Sequence, residues 1–139
     1  MQIINGHCHC GNISLEITLS VPPKNIVPRH CDCDFCQKHR AEYISDPNGK
    51  INIHIKNPSD IKYEHQGSNQ ANFLVCNACG MLIGALYRES GHLYAAINRL
   101  TINDAIEFAD PIVISPKYLS ITDKVQRWKE LWFNHVELR

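Results

Sequence analysis

Residues 6–19 read Gly6-His7-Cys8-His9-Cys10-Gly11-Asn12-Ile13-Ser14-Leu15-Glu16-Ile17-Thr18-Leu19, and two patterns meet in them. From Ile13 on, Ile13, Leu15, Ile17 and Leu19 alternate with Ser14, Glu16 and Thr18. Period two is the signature of a strand with one buried face. Ile51, Ile53 and Ile55 alternate with Asn52, His54 and Lys56 in the same way, and Asn72 to Cys76, Leu82 to Tyr87 and His92 to Ile97 read as further strands. Turn signals separate them at Pro22-Pro23, Asp46-Pro47-Asn48-Gly49, Asn57-Pro58-Ser59-Asp60, Gly67-Ser68-Asn69 and Glu89-Ser90-Gly91. The pattern predicts a mainly β fold, a sandwich or an open barrel. It closes with one C-terminal α-helix, capped at Thr122-Asp123 and running to about Asn134. On that helix Val125, Trp128, Leu131 and Trp132 form one apolar stripe, which packs onto the sheet or offers a dimer or partner surface.

The 139 residues fit a single domain, 1–139. Lys plus Arg and Asp plus Glu number 14 each, so the chain has no net charge with which to bind nucleic acid generally. The longest apolar run in the second half, Met81 to Tyr87, is far too short to cross a bilayer. Met1 to Cys10 has no basic stretch followed by an apolar core, so no secretory signal is expected and the cytoplasm is the expected location.

The first half of the opening stretch, Cys8-His9-Cys10, is one of three cysteine groups. The others are Cys31-x-Cys33-x-x-Cys36 and Cys76-x-x-Cys79, for a total of seven cysteines. An odd number in a reducing compartment reads as metal ligands before disulfides. Zinc suits thiolate-rich sites. A C-x-C pair on a strand offers two thiolates on one face, and a C-x-x-C turn does the same. Gly80 and Gly11, each following a second cysteine, ease the tight turn. Cys8, Cys10, Cys76 and Cys79 would make a closed structural zinc site. Cys31, Cys33 and Cys36 remain, three ligands where a tetrahedral ion takes four. Three protein ligands and an open position are the pattern of a catalytic zinc. His30 or His39 could instead close this site, and His7 or His9 could replace a cysteine in the first. Spacing alone leaves these alternatives standing.

An open three-thiolate zinc carries a net charge of −1 and acidifies water poorly. It favours a soft fourth ligand, and a substrate thiol held there is held as thiolate. The chemistry indicated is addition or release of a thiol rather than peptide or ester hydrolysis.

With Gly6-His7-Cys8-His9-Cys10-Gly11, Cys31-Asp32-Cys33-Asp34-Phe35-Cys36-Gln37-Lys38 and Cys76-Asn77-Ala78-Cys79-Gly80 in place, the chain resembles the glutathione-dependent formaldehyde-activating enzyme family, which includes centromere protein V. The resemblance covers about residues 3–108, leaving 111–139 as a helical extension. Asn98-Arg99-Leu100 resembles the family's closing strand. Two positions depart from the family pattern: His39-Arg40 stand where a glycine is common, and Val75 where a Phe is common. The resemblance implies a zinc-containing β fold similar to that of a Rab exchange chaperone. It also implies a structural zinc on Cys8, Cys10, Cys76 and Cys79, and a second zinc on Cys31, Cys33 and Cys36. The implied activity is a carbon–sulfur lyase reaction that condenses formaldehyde with glutathione.

Three functions are compatible with this sequence. The first is an enzyme that uses Cys31, Cys33 and Cys36 to join a thiol such as glutathione to a small aldehyde. Lys38, His39, Arg40 or Arg99 would then be candidates to meet glutathione carboxylates. The second is a zinc-stabilised binding module, with oligomerisation or a partner at the C-terminal helix. The third is a redox or metal-handling thiol protein.

Overall fold

The alternation at 13–19 becomes a strand whose odd residues are buried and whose even residues face outward. The computed structural model describes residues 2–65, 70–102 and 105–139; the turn signal at Gly67-Ser68-Asn69 lies outside them. Along the chain run β1 (Gln2–His7), β2 (Ile13–Leu19), β3 (Arg29–Cys31), α1 (Asp34–Lys38), β4 (Tyr43–Ile44), β5 (Lys50–Ile55) and β6 (Ile61–His65). Then come β7 (Asn72–Cys76), β8 (Leu82–Glu89), β9 (His92–Asn98), β10 (Ile112–Ile114), α2 (Ile121–Leu131) and β11 (His135–Leu138). The expected strands are all present, and the mainly β class with a C-terminal helix holds.

Two sheets form. One has the order β1-β2-β5-β11, the other β10-β3-β4-β9-β8-β7-β6. Ile13, Leu15, Ile17, Ile51 and Ile53 of the first meet Leu74, Ile83, Ala95 and Ile97 of the second in the main core. The second sheet is covered on its other face too. Phe73, Val75, Leu82, Ala85 and Ala96 turn away from the main core and meet α2. β7 therefore sends alternate residues into two cores, which is why its sequence is an unbroken apolar run. β8 carries an irregularity opposite Leu74 and Val75, where the partner of Val75 is Leu82 and that of Leu74 is Gly84.

The C-terminal segment departs from the expected bounds. Ser120, not Thr122, caps α2: its Oγ accepts the Asp123 N–H at 3.1 Å. The helix stops at Leu131 rather than near Asn134, because Trp132 turns to extended backbone. Phe133 is then fully buried in the main core and exchanges backbone hydrogen bonds with Ala95, after which β11 lies parallel to β5. A helix continued to Asn134 would forgo both contacts. The stripe of Val125, Trp128, Leu131 and Trp132 packs against the second core. Trp132 and Trp128 stack at 4.8 Å, and Trp128 meets Tyr87 at 5.5 Å. Lys129 ties the helix to Glu89 of β8 at 2.8 Å. The apolar face once available for an oligomer contact is thus occupied by the chain's own sheet. No helix among the described residues is long and apolar enough to cross a membrane. Asn98 ends β9, and Arg99-Leu100-Thr101 form a 3-10 turn, so the expected closing strand is a strand end followed by a turn.

Candidate metal centres and the pocket beside them

Cys8 and Cys10 do not sit on a strand, as the C-x-C argument expected. They occupy the turn between β1 and β2, where the Gly11 N–H reaches the Cys8 carbonyl and Gly11 takes φ +84°. Cys76 to Gly80 repeats this at the turn between β7 and β8, with Gly80 at φ +79°. In each turn the first cysteine N–H bonds the carbonyl five residues on, Cys8 to Ile13 and Cys76 to Met81. The two turns bring Cys8, Cys10, Cys76 and Cys79 together, all sulfurs within 4.8 Å of one another. Cys10 Sγ lies 3.6 Å from Cys8 Sγ and 3.5 Å from Cys76 Sγ. A tetrahedral ion with metal–sulfur bonds of ~2.3 Å needs sulfurs about 3.8 Å apart, so the donor set fits. The Ile13 N–H donates to Cys8 Sγ at 3.3 Å. Burial pushes Cys76 up to about 12. Burial also opposes ionisation of Cys79, but the Met81 and Cys10 N–H groups and the neighbouring thiols outweigh it and hold Cys79 at about 6. His7 bonds the Cys8 carbonyl through Nδ1, and neither His7 nor His9 joins the four sulfurs.

The other three cysteines form a second cluster, also within 4.8 Å. Cys31 ends β3, Cys33 caps α1 and accepts the Cys36 N–H at 3.4 Å, and Cys36 is buried. Hydrogen bonds from the Cys31 and Cys36 thiols hold Cys33 far below the ordinary thiol range, while hydrogen bonds to Cys31 and then Cys33, with burial, push Cys36 up. Tyr43 Oη lies 3.1 Å from Cys36 Sγ, and burial keeps its phenol protonated. Among the described residues no histidine or carboxylate joins this cluster. His30 faces Glu42 at 3.4 Å, and the His39 ring lies tilted against Phe35 at 4.5 Å. Both clusters could hold a metal ion.

A cavity of about 110 Å³ adjoins the second cluster, with Cys31, Cys33, Cys36 and Tyr43 in its wall. Phe73, Ala85 and Ala96 of the sheet form one apolar side; Trp128 and Leu131 of α2, with Trp132 just past its end, form the other. Four cations also face it: Arg29, Lys117, Lys124 and Arg127. Arg29 Nη2 donates to Ser45 Oγ at 2.6 Å, and burial, then the Arg127 charge, lowers Arg29 to about 10, so it remains charged at neutral pH. The expected cations are elsewhere. Lys38, His39 and Arg99 do not line this cavity; Arg99 points to Glu42 at 3.9 Å and lies over Phe108. Arg40 lines a separate recess at the knuckle and holds φ +52°, a conformation that favours glycine, at the stretch where the sequence departs from the family pattern.

A family model described as glutathione-dependent formaldehyde-activating enzyme matches residues 3–114. The chain belongs to that family. The match to the formaldehyde-activating family contains all seven cysteines but ends at β10, before α2. No curated protein matches the chain. A crystal structure titled as a Rhodobacter sphaeroides protein, a Northeast Structural Genomics target, is similar in fold. Its TM-score is 0.59 at 18% identity, covering 78% of this chain and 100% of that one.

Sequence reasoning placed the cysteines of this formaldehyde-activating family member but missed Tyr43, Arg29 and Arg127. Tyr43 carries no motif; a tyrosine seven residues past a cysteine knuckle is ordinary until β4 turns it back onto Cys36. For Arg29 a signal existed. It stands two residues before Cys31 on one strand and so shares its face.

Proposed function

We propose that this chain is a zinc-dependent carbon–sulfur lyase-type enzyme, which adds a thiol such as glutathione to formaldehyde or another small aldehyde, or reverses that addition. The observation that carries the reading is the three-cysteine cluster, which opens on a cavity with no fourth cysteine, histidine or carboxylate donor among the described residues. A tetrahedral ion held by three side chains keeps one position for substrate. Zinc bound there would supply a soft position in which the substrate thiol is held ionised.

The chain's own residues do the rest. Cys31, Cys33 and Cys36 would hold the ion, with the Cys36 N–H steadying Cys33. Tyr43, kept protonated, donates to Cys36 once that sulfur is a thiolate and fixes its direction. Trp128, Trp132 and Phe73 exclude water around the reacting atoms. In the addition, the sulfur forms a bond to the carbonyl carbon, the C=O π pair moves to oxygen, and the thiol proton ends on that oxygen. No electrons are gained or lost overall. A cavity of about 110 Å³ admits a small aldehyde and the thiol end of a tripeptide, while the rest of the tripeptide stays at the mouth.

Cys8, Cys10, Cys76 and Cys79 would hold a structural zinc that ties the two hairpin turns together. The whole chain would then be one zinc-binding domain, with the likeness to the Rab exchange chaperone fold and a cytoplasmic location as parts of the same proposal. Seven unpaired thiols suit a reducing compartment. The test is exchange NMR of formaldehyde and glutathione with the zinc-loaded chain. Interconversion with S-hydroxymethylglutathione should exceed the spontaneous rate, and Cys33→Ser should return it to that rate. A wild type that leaves the spontaneous rate unchanged overturns the proposal.

A further inference from the structure

The cavity beside the second cluster holds more positive charge than its own surroundings account for. Lys117 is partly answered by Asp32 at 3.8 Å. Arg29, Lys124 and Arg127 have no carboxylate partner among the described residues. Arg29 is held only through Ser45. Two guanidinium groups facing one largely apolar cavity repel each other, and the burial of Arg29 costs free energy that an entering anion would offset. The arrangement is built from rigid elements. Arg29 and Cys31 lie on one face of β3, about 7 Å apart along the strand. Lys124, Arg127, Trp128 and Leu131 recur at helical spacing on one face of α2, the face seated over the cavity.

We propose that Arg29 and Arg127, with Lys124 beside them, form a carboxylate-binding subsite that selects thiols bearing a carboxylate a few bonds from sulfur. This rests on the reading of the three-cysteine cluster as the place of the thiol sulfur. A sulfur at the cluster and a carboxylate at the arginines would share one cavity, and guanidinium groups meet carboxylates in paired hydrogen bonds. Two of the three cations come from the segment beyond residue 114, where the family match ends. Helix α2 is thus the specificity element that this chain adds to the cysteine framework.

Trp128 and Trp132 are the only two tryptophans, and both line the cavity, so intrinsic fluorescence reports its occupancy. The zinc-loaded chain is titrated with 3-mercaptopropionate and with its neutral isostere 3-mercaptopropionamide. The carboxylate should bind about ten- to a hundredfold more tightly, the range expected for charge-assisted hydrogen bonds. Arg127→Gln should bring the ratio close to one, and Arg127→Lys should keep part of it. The comparison of the two ligands needs only the wild type, so it stands even where a variant folds poorly. Equal binding of the two thiols by the wild type overturns the carboxylate subsite and leaves the thiol reading intact. Binding of neither overturns both. A ratio unchanged in Arg127→Gln, with the variant folded, overturns the assignment of that arginine.

Discussion

Replacing Trp132 by alanine tests whether α2 is seated on the sheet as a permanent wall of the site. Trp132 is 7% exposed, packed against the second core and stacked on Trp128. A tryptophan buried to this degree removes about 150–250 Å² from water, worth about 4–6 kcal/mol at ~25 cal/mol per Å². The unfolded chain already hides some of that surface, which lowers the figure to about 3–4 kcal/mol. Loss of the ring stack restores about 0.5–1.5 kcal/mol. Trp132→Ala should therefore cost about 4 kcal/mol, a large share of the ~5–15 kcal/mol that holds a domain folded. Urea unfolding of the metal-saturated protein, followed by far-UV circular dichroism, measures it. Ile121→Ala is the control, because Ile121 lies on the same helix but is 52% exposed; it should change stability by no more than about 0.5 kcal/mol. A Trp132→Ala loss below about 1.5 kcal/mol would refute the seated wall, and with it the cavity between helix and sheet.

Two further predictions follow from the same packing. Gly84 has no room for a side chain: an added Cβ would stand 2.4 Å from the Ala96 carbonyl oxygen on the paired strand. Gly84→Ala should destabilise by about 3 kcal/mol, the upper end for overpacking, because backbone must move; equal unfolding midpoints for variant and wild type would contradict the β8–β9 register. The Lys129 ammonium, and then the Tyr87 hydroxyl, hold Glu89 below the usual carboxylate range. Its unfolded form binds protons more readily, so its contribution is present above the ordinary carboxylate value and is lost as pH falls through the lowered one. The stability gap between wild type and Glu89→Gln should therefore close toward low pH and shrink in high salt, as read from urea midpoints; a gap independent of pH would show that the pair does not help dock the helix.

Local signals carried the strands and the cysteine partition. Ile13 to Leu19 and Ile51 to Ile55 state their buried face in their alternation, and the two sheets keep it. The cysteine pairs were legible because ligand geometry limits sequence spacing. The turn that holds Cys8 and Cys10 was misread as a strand, although Gly11 marked the reversal that its positive φ provides. β11 was unreadable: its four residues alternate exposed and half-buried, and gain their meaning from a parallel pairing with β5, more than 80 positions earlier. The meeting of Arg29 with Arg127 is likewise a product of tertiary docking, since nothing near either residue records it. The tryptophan stripe is compatible in sequence with a packing face or a partner surface; the docked helix shows the packing, and that the same face is a wall of the second site.

The central claim is that the seven cysteines make two separate metal sites, the second without a fourth protein ligand. Zinc per chain, measured under reducing conditions with zinc supplied, tests it most directly. The account predicts two zinc ions in the wild type and one in Cys33→Ser, with the circular dichroism spectrum of the variant unchanged because the four-cysteine site still holds the fold. One zinc in both proteins would contradict it, and the cluster of Cys31, Cys33 and Cys36 would then be three thiols beside a cavity rather than a metal centre.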